Sequence, residues 1–283
     1  MLSIGTVLSV LFCIRLKEGQ KYLQMVENLD SNAYPLHTLY VVGFAWSKKK
    51  LLGFKGKLAA ALVNQASLLH GTRFAKFYGT LAWAQAITLS HLVLTLTFLL
   101  SAIMYSSSGL ILVGGVFMAV FCAIYSLEDM KNTLKKRTEN CENELAQVVS
   151  SMAILVNSGM ILRNAWVTIG ERGQGDIYEL MRKATENMRN GASDVDAIYL
   201  FGRDSNSLEI KKFTSALIQS IEKSGTELPG FLANQSAELW NTKKQNMLQQ
   251  GEKAATKLLL PIMLIFVGVI IVIVAAAFGG SLL

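Results

Sequence analysis

The chain has 283 residues, of which 52% are hydrophobic and only 17% charged, and its 27 basic and 20 acidic side chains leave a formal net charge of +7. That balance excludes an ordinary soluble globule and a disordered polar chain, so a membrane protein is the first reading. The three cysteines, Cys13, Cys122 and Cys141, form no CxxC pair and the first two sit in apolar tracts, so they read as ordinary packing residues in a reducing compartment.

The N-terminal tract MLSIGTVLSVLFCI is followed, not preceded, by Arg15 and Lys17. A cleaved signal peptide has the opposite order and a small-residue cleavage site. Residues 1–14 are therefore expected to be a membrane anchor with its N terminus outside. Because the tract is short for a span, a surface-lying or packed helix is the alternative. Residues 15–79 read as a basic cytoplasmic helical segment: Arg15 to Tyr78 holds ten basic and three acidic residues, whereas Ser126 to Lys257 holds seventeen of each. Anionic lipid accounts for that excess, at about 1 kcal/mol per basic residue near the surface. Nucleic acid need not be invoked.

Thr80–Tyr105 and Gly109–Tyr125 are apolar tracts separated only by Ser106–Gly109, which predicts a transmembrane hairpin over residues 80–125. Arg73 and Lys76 precede it, Lys131, Lys135, Lys136 and Arg137 follow it, and the turn carries no basic residue. Both open ends are thus expected to be cytoplasmic. Ala82, Ala86 and Ser90 in one arm and Gly115, Ala119 and Ala123 in the other give small residues at four-residue spacing, suited to close packing within the hairpin or with a second copy. His91 lies near the middle of a span, where an ionisable group is a functional candidate. A neutral imidazole bonded to another helix explains it equally.

Residues 126–257 repeat one phrase three times: NSGMILRNAW, RNGASDVDAI and KSGTELPGFL, with Gly159, Gly191 and Gly225 spaced 32 and 34 residues apart. Each glycine follows apolar residues at helical spacing, such as Leu145, Val149, Met152 and Val156, and precedes another such run. Glycine is the favoured left-handed helix stop. Ser193 or Asp194 is a candidate cap for the helix after the second corner, Thr226 for the one after the third, and Pro229 suits a first turn. The fold class expected is an all-α integral membrane protein, with transmembrane helices plus a cytoplasmic six-helix bundle of three helix-Gly-helix hairpins. From Pro229 to Lys257 only Gly251 interrupts good helix formers, so the last bundle helix is expected to run on toward the final span, residues 258–278. Pro261 reads as a break in the first turn of that span, and Lys253 and Lys257 before it orient it outward.

The paired SG-x-x-L corners at Ser158-Gly159 to Leu162 and Ser224-Gly225 to Leu228, the middle NGASDVDAI and the EKAATKLLLP run from Glu252 to Pro261 resemble the type II secretion system F family. These are inner-membrane platform proteins of type II secretion and type IV pili. One hairpin, one cytoplasmic helical domain and a final span look most like the tight-adherence (Tad, or Flp) pilus branch. Residues 15–79 occupy the place of that family's first cytoplasmic domain, although the glycine corner is not recognisable there. The resemblance implies a multi-pass protein of the cytoplasmic membrane that engages a hexameric secretion ATPase, pilins, and a sister platform subunit or a second copy of itself.

No catalytic constellation is visible, since HExxH, CxxC and GxSxG are absent and His37, His70 and His91 are isolated. GFKGK at residues 53–57 has two residues between its glycines where a phosphate loop has four. GERGQG, residues 170–175, reads as a connector. No enzyme, cofactor or metal is therefore expected; Asp194 and Asp196 lack a third ligand nearby. Candidate partner-binding residues are Arg163, Arg182, Lys183, Lys211 and Lys212, which suit an acidic surface, with Glu222 and Glu252 at positions where the family places acids. Solvated helix faces explain each of them as well. The competing function is a membrane subunit of a solute transporter, which His91 and the spans would serve.

Overall fold

A computed structural model describes residues 2–27, 29–30, 34–47, 53–103, 108–223 and 227–279. Every long element among them is a helix, and none is a strand. The chain divides into two units, Met1–Glu139 and Asn140–Leu283. The turn residues Ser106 and Ser107, the third corner at Ser224, Gly225 and Thr226, and the last four residues lie outside the described ones.

The first unit contains α1 (Leu2–Gly19), α2 (Leu23–Val26), α3 (Val41–Ser47), α4 (Lys57–His70), α5 (Ala75–Ile103) and the first part of α6 (Ser108–Asn157). Its axis is α5. Gly5 of α1 backs onto Phe98 and the Leu8 carbonyl meets His91, so α1 runs antiparallel to α5. Gly43 of α3 lies so close to Ala84 that a side chain there would overlap the Ala84 carbonyl. The Gly43 N–H donates to Thr88 Oγ1 at 3.0 Å, and that hydroxyl donates to the Ala84 carbonyl at 2.8 Å. Val26, Tyr40, Val41, Phe44, Leu81 and Ala84 close one core, and Leu62, Ala66, Ala75, Ala82 and Met130 another. Small residues join α5 to α6: Gly115 faces the Thr97 side chain, and the Ser90 hydroxyl lies 3.1 Å from the Ala119 carbonyl.

The outside of this unit is apolar. Ile4, Val7, Val10 and Ile14 form an exposed stripe on α1, and Val113, Phe117, Phe121 and Ile124 one on α6. Such stripes suit lipid as the surrounding solvent. Among the described residues, three helices are long and apolar enough to cross a bilayer: Ala75–Ile103, Ile111–Asn157 and Leu228–Val274. The hydropathy of the second arm fades near Tyr125, yet its helix runs on for 50 residues in all to Asn157, because Leu127, Met130 and Leu134 continue the apolar period on one face.

The second unit uses the end of α6 with α7 (Leu162–Arg172), α8 (Asp176–Arg189), α9 (Asp194–Asp204), α10 (Leu208–Lys223) and α11 (Leu228–Gly279). All six contribute to one core, in which Leu145, Val149, Met152, Trp166, Ile177, Met181, Ile198, Ile210, Leu217 and Leu232 are essentially buried. Each such side chain contributes about 1.5–3 kcal/mol by leaving water. Pro261 is not a break: it lies inside α11, which continues for 52 residues. A proline removes one backbone donor, a loss that an otherwise apolar membrane helix tolerates.

Candidate functional site

The two described corners share one construction. Gly159 and Gly191 have φ of 92° and 97°. The Met160 N–H returns to the Leu155 carbonyl at 3.1 Å and the Ala192 N–H to Asn187 at 3.0 Å, the six-to-one closure of a Schellman turn. After the second corner, Ser193 rather than Asp194 caps α9, accepting from the Asp196 N–H at 3.0 Å and donating to its carboxylate at 2.7 Å.

Three of the sequence-predicted basic residues fasten this unit internally. Arg163 donates to the Met188 carbonyl at 2.8 Å and lies 3.5 Å from Asp194, holding the corner between α8 and α9. Arg182 donates to the carbonyls of Gly170 and Gly173 at 2.7 and 3.0 Å, satisfying the carbonyl end of α7. Lys183 binds Asp204 at 2.6 Å, and Arg203 reaches the other carboxylate oxygen through two nitrogens at 2.8 and 2.9 Å. Burial opposes ionisation of Asp204, but the hydrogen bonds and charges of Lys183 and Arg203 outweigh it and hold the carboxyl below its usual range. Lys211, Lys212, Glu222 and Glu252 are exposed on α10 and α11. None of them converges with the first three on a common cleft.

Two contacts were not signalled by any sequence motif. Ser207 ahead of α10 donates to Glu142 of α6 at 2.6 Å. Glu144 lies under the start of α8, where a side chain at Gly175 would strike its carboxylate. Burial raises the Glu144 carboxyl, against a hydrogen bond from the Ile177 backbone that lowers it, while Asp176 raises and Lys243 lowers it. Gly170 to Arg172 of the GERGQG run belong to α7 rather than to a connector, and in the short link that remains Gly175, with φ of 131°, lies against the acid beneath it.

Beyond the core, α11 is bare: residues 244–259 are exposed on every face. Sixteen residues at 1.5 Å each give a stalk of about 24 Å. It leads into the apolar run beginning at Leu258.

In the first unit, His91 Nε2 donates to the Leu8 carbonyl at 3.3 Å, and its ring meets Phe12 edge-on at 5.5 Å. It lines an apolar cavity of about 400 Å³ among Leu8, Trp46, Trp83, Ala86 and Ala123. No group of three or more potential metal ligands occurs among the described residues.

Residues 148–279 match the family model for Type II secretion system (T2SS), protein F. No curated protein and no solved structure matches the chain.

Proposed function

Because residues 148–279 carry a domain of the type II secretion system protein F family, whose members are membrane platform proteins that interact with a secretion ATPase and other platform components, we propose that this chain is such a platform. It sits in the inner membrane with its second unit in the cytoplasm as a six-helix bundle, and it serves a Tad-type pilus or a type II secretion machine. The bundle receives motion from a hexameric ATPase, and α11 passes it to the membrane, where pilins are drawn into a filament. The chain itself performs no catalysis.

The observation that carries this reading is the continuity of α11 from Leu228, buried in the bundle core, to Gly279 at the end of an apolar span. A helix transmits displacement along its axis only while its hydrogen-bond ladder is unbroken. Orientation follows from the basic flanks of the hairpin. The antiparallel course of α1 along α5 supports an N terminus outside, with residues 1–14 as an anchor beside the span. Arg163, Arg182 and Lys183 hold the bundle in shape, leaving Lys211, Lys212, Glu222 and Glu252 as the partner-facing candidates. The His91 bond to Leu8 fits a fastening of α1 to α5.

The test is purification of the tagged chain from native membranes in a gentle detergent, with mass spectrometry of what accompanies it. Recovery of a secretion ATPase, pilins or a sister platform subunit is expected. Recovery of solute-binding or transport subunits would replace this reading with that of a transporter.

A further inference from the structure

The cavity of the first unit is walled by α1, α3, α5 and α6 and reaches from Trp83 to Leu94 along α5. Eleven residues of helix rise roughly 16 Å, close to the ~15 Å of one hydrocarbon leaflet. Its volume of about 400 Å³ falls within the range of small-molecule sites, and its walls are aliphatic and indole carbon. Its two polar lining side chains are already engaged, Ser90 with the carbonyls of Ala86 and Ala119 and His91 with that of Leu8.

Trp46, which walls the cavity, carries the Arg15 guanidinium 4.6 Å from its ring centroid. Arg15 is only 7% exposed and is paired with Glu18 through one nitrogen. Its Nε and the Trp46 indole nitrogen are both buried and have no acceptor among the described residues. Two neighbouring unsatisfied donors, one cationic, cost free energy that an outside acceptor recovers. An anionic oxygen beside an arginine and an interfacial tryptophan, above a dry slot one leaflet deep, is the chemistry of a phospholipid.

We propose that this cavity holds one acyl chain of an anionic phospholipid, with the headgroup phosphate accepting from Arg15 Nε and the Trp46 indole N–H. The site rests on the reading of α5 as a membrane span. The charge excess between Arg15 and Tyr78 enriches anionic lipid at the same membrane face. The lipid wedges α1, α3 and α6 around α5 without any contribution from the second unit.

Native mass spectrometry of the full chain in mild detergent tests this, with phosphatidylglycerol and phosphatidylethanolamine of equal chain length added in turn. The wild-type chain is expected to retain one phosphatidylglycerol at least tenfold more tightly than phosphatidylethanolamine. Ala86→Phe, which fills the slot, should lose the bound lipid while its helical content is unchanged; if that variant fails to insert, Ile87→Trp fills the same slot. Arg15→Gln should abolish the preference for phosphatidylglycerol, whereas Glu18→Gln, which leaves the guanidinium in place, should keep it. Equal binding of the two lipids, or undiminished binding by the slot-filling variants, overturns the proposal. The readout is made on the isolated chain, so it stands apart from any failure of the platform reading. A chain that remains monodisperse without detergent would instead remove the membrane premise.

Discussion

The two units are built from the same helical material and turn it in opposite directions. In the second, Trp166, Met181, Ile198 and Leu217 point inward and Lys211, Lys212 and Glu222 outward. In the first, small or polar residues make the internal contacts, Gly43 on Ala84, Gly115 on Thr97 and Ser90 on Ala119, while Val7, Phe117 and Phe121 face outward. The difference is one of solvent. Water drives apolar side chains together, whereas among lipid chains helices gain by close backbone approach and by satisfying hydrogen bonds. Large side chains therefore fill the core of the second unit, whereas in the first close backbone approach adds to the smaller cores around Tyr40, Leu81 and Leu62.

Substitutions should separate the two logics. The largest effect is expected from Trp166→Ala, which empties the bundle core and costs about 3–5 kcal/mol. Urea unfolding followed on the second unit should show it, with membrane insertion unchanged. Gly43→Ala adds one methyl group against the Ala84 carbonyl and is expected to cost about 1–3 kcal/mol in the first unit alone, read as lower thermal stability in detergent. The same glycine-to-alanine change at Gly159 acts through backbone strain, at about 1–2 kcal/mol, and should lower only the second unit. If Gly43→Ala were silent and Gly159→Ala were not, close approach would not be what holds the first unit.

Asp204 gives a pH-dependent version of the same test. Its folded carboxyl titrates below the unfolded value of about 3.9, so it contributes stability above that pH and loses it as pH falls through the folded value. Acid unfolding of the second unit should be shallower in Asp204→Asn than in the wild type. At neutral pH that variant is expected to be less stable by roughly 1.5–3 kcal/mol, the worth of hydrogen bonds to a charged group, at the lower end because Lys183 and Arg203 are half exposed.

Hydropathy marks the three candidate spans, and helical periodicity with glycine punctuation marks the helices that meet at Gly159 and Gly191. Those signals are local, and so are the features they reveal. The Lys183–Asp204 pair and the Ser207–Glu142 bond join residues 21 and 65 positions apart, with nothing in either neighbourhood to announce a partner. Likewise α3, embedded in VVGFAWS, reads as a short apolar stretch within a basic segment; only its packing shows that Gly43 is where α3 touches α5. Hydropathy marks where the apolar tract ends at Tyr125 but not where α6 ends, because the hydrogen-bond ladder runs on to Asn157. Pro261 was misread for the converse reason: proline punctuates a water-exposed helix more strictly than a membrane one. Arg15 and Trp46 had no motif, since the cation and its ring lie 31 residues apart and meet only through the fold.

The central claim is that α11 is the mechanical link between bundle and membrane. Its most direct test is Ala237→Pro, an exposed position in that helix, where proline costs about 3 kcal/mol locally and interrupts the ladder. The variant should insert and accumulate normally yet assemble no filament and secrete nothing. Normal filaments or secretion from a variant shown to be inserted would contradict the claim.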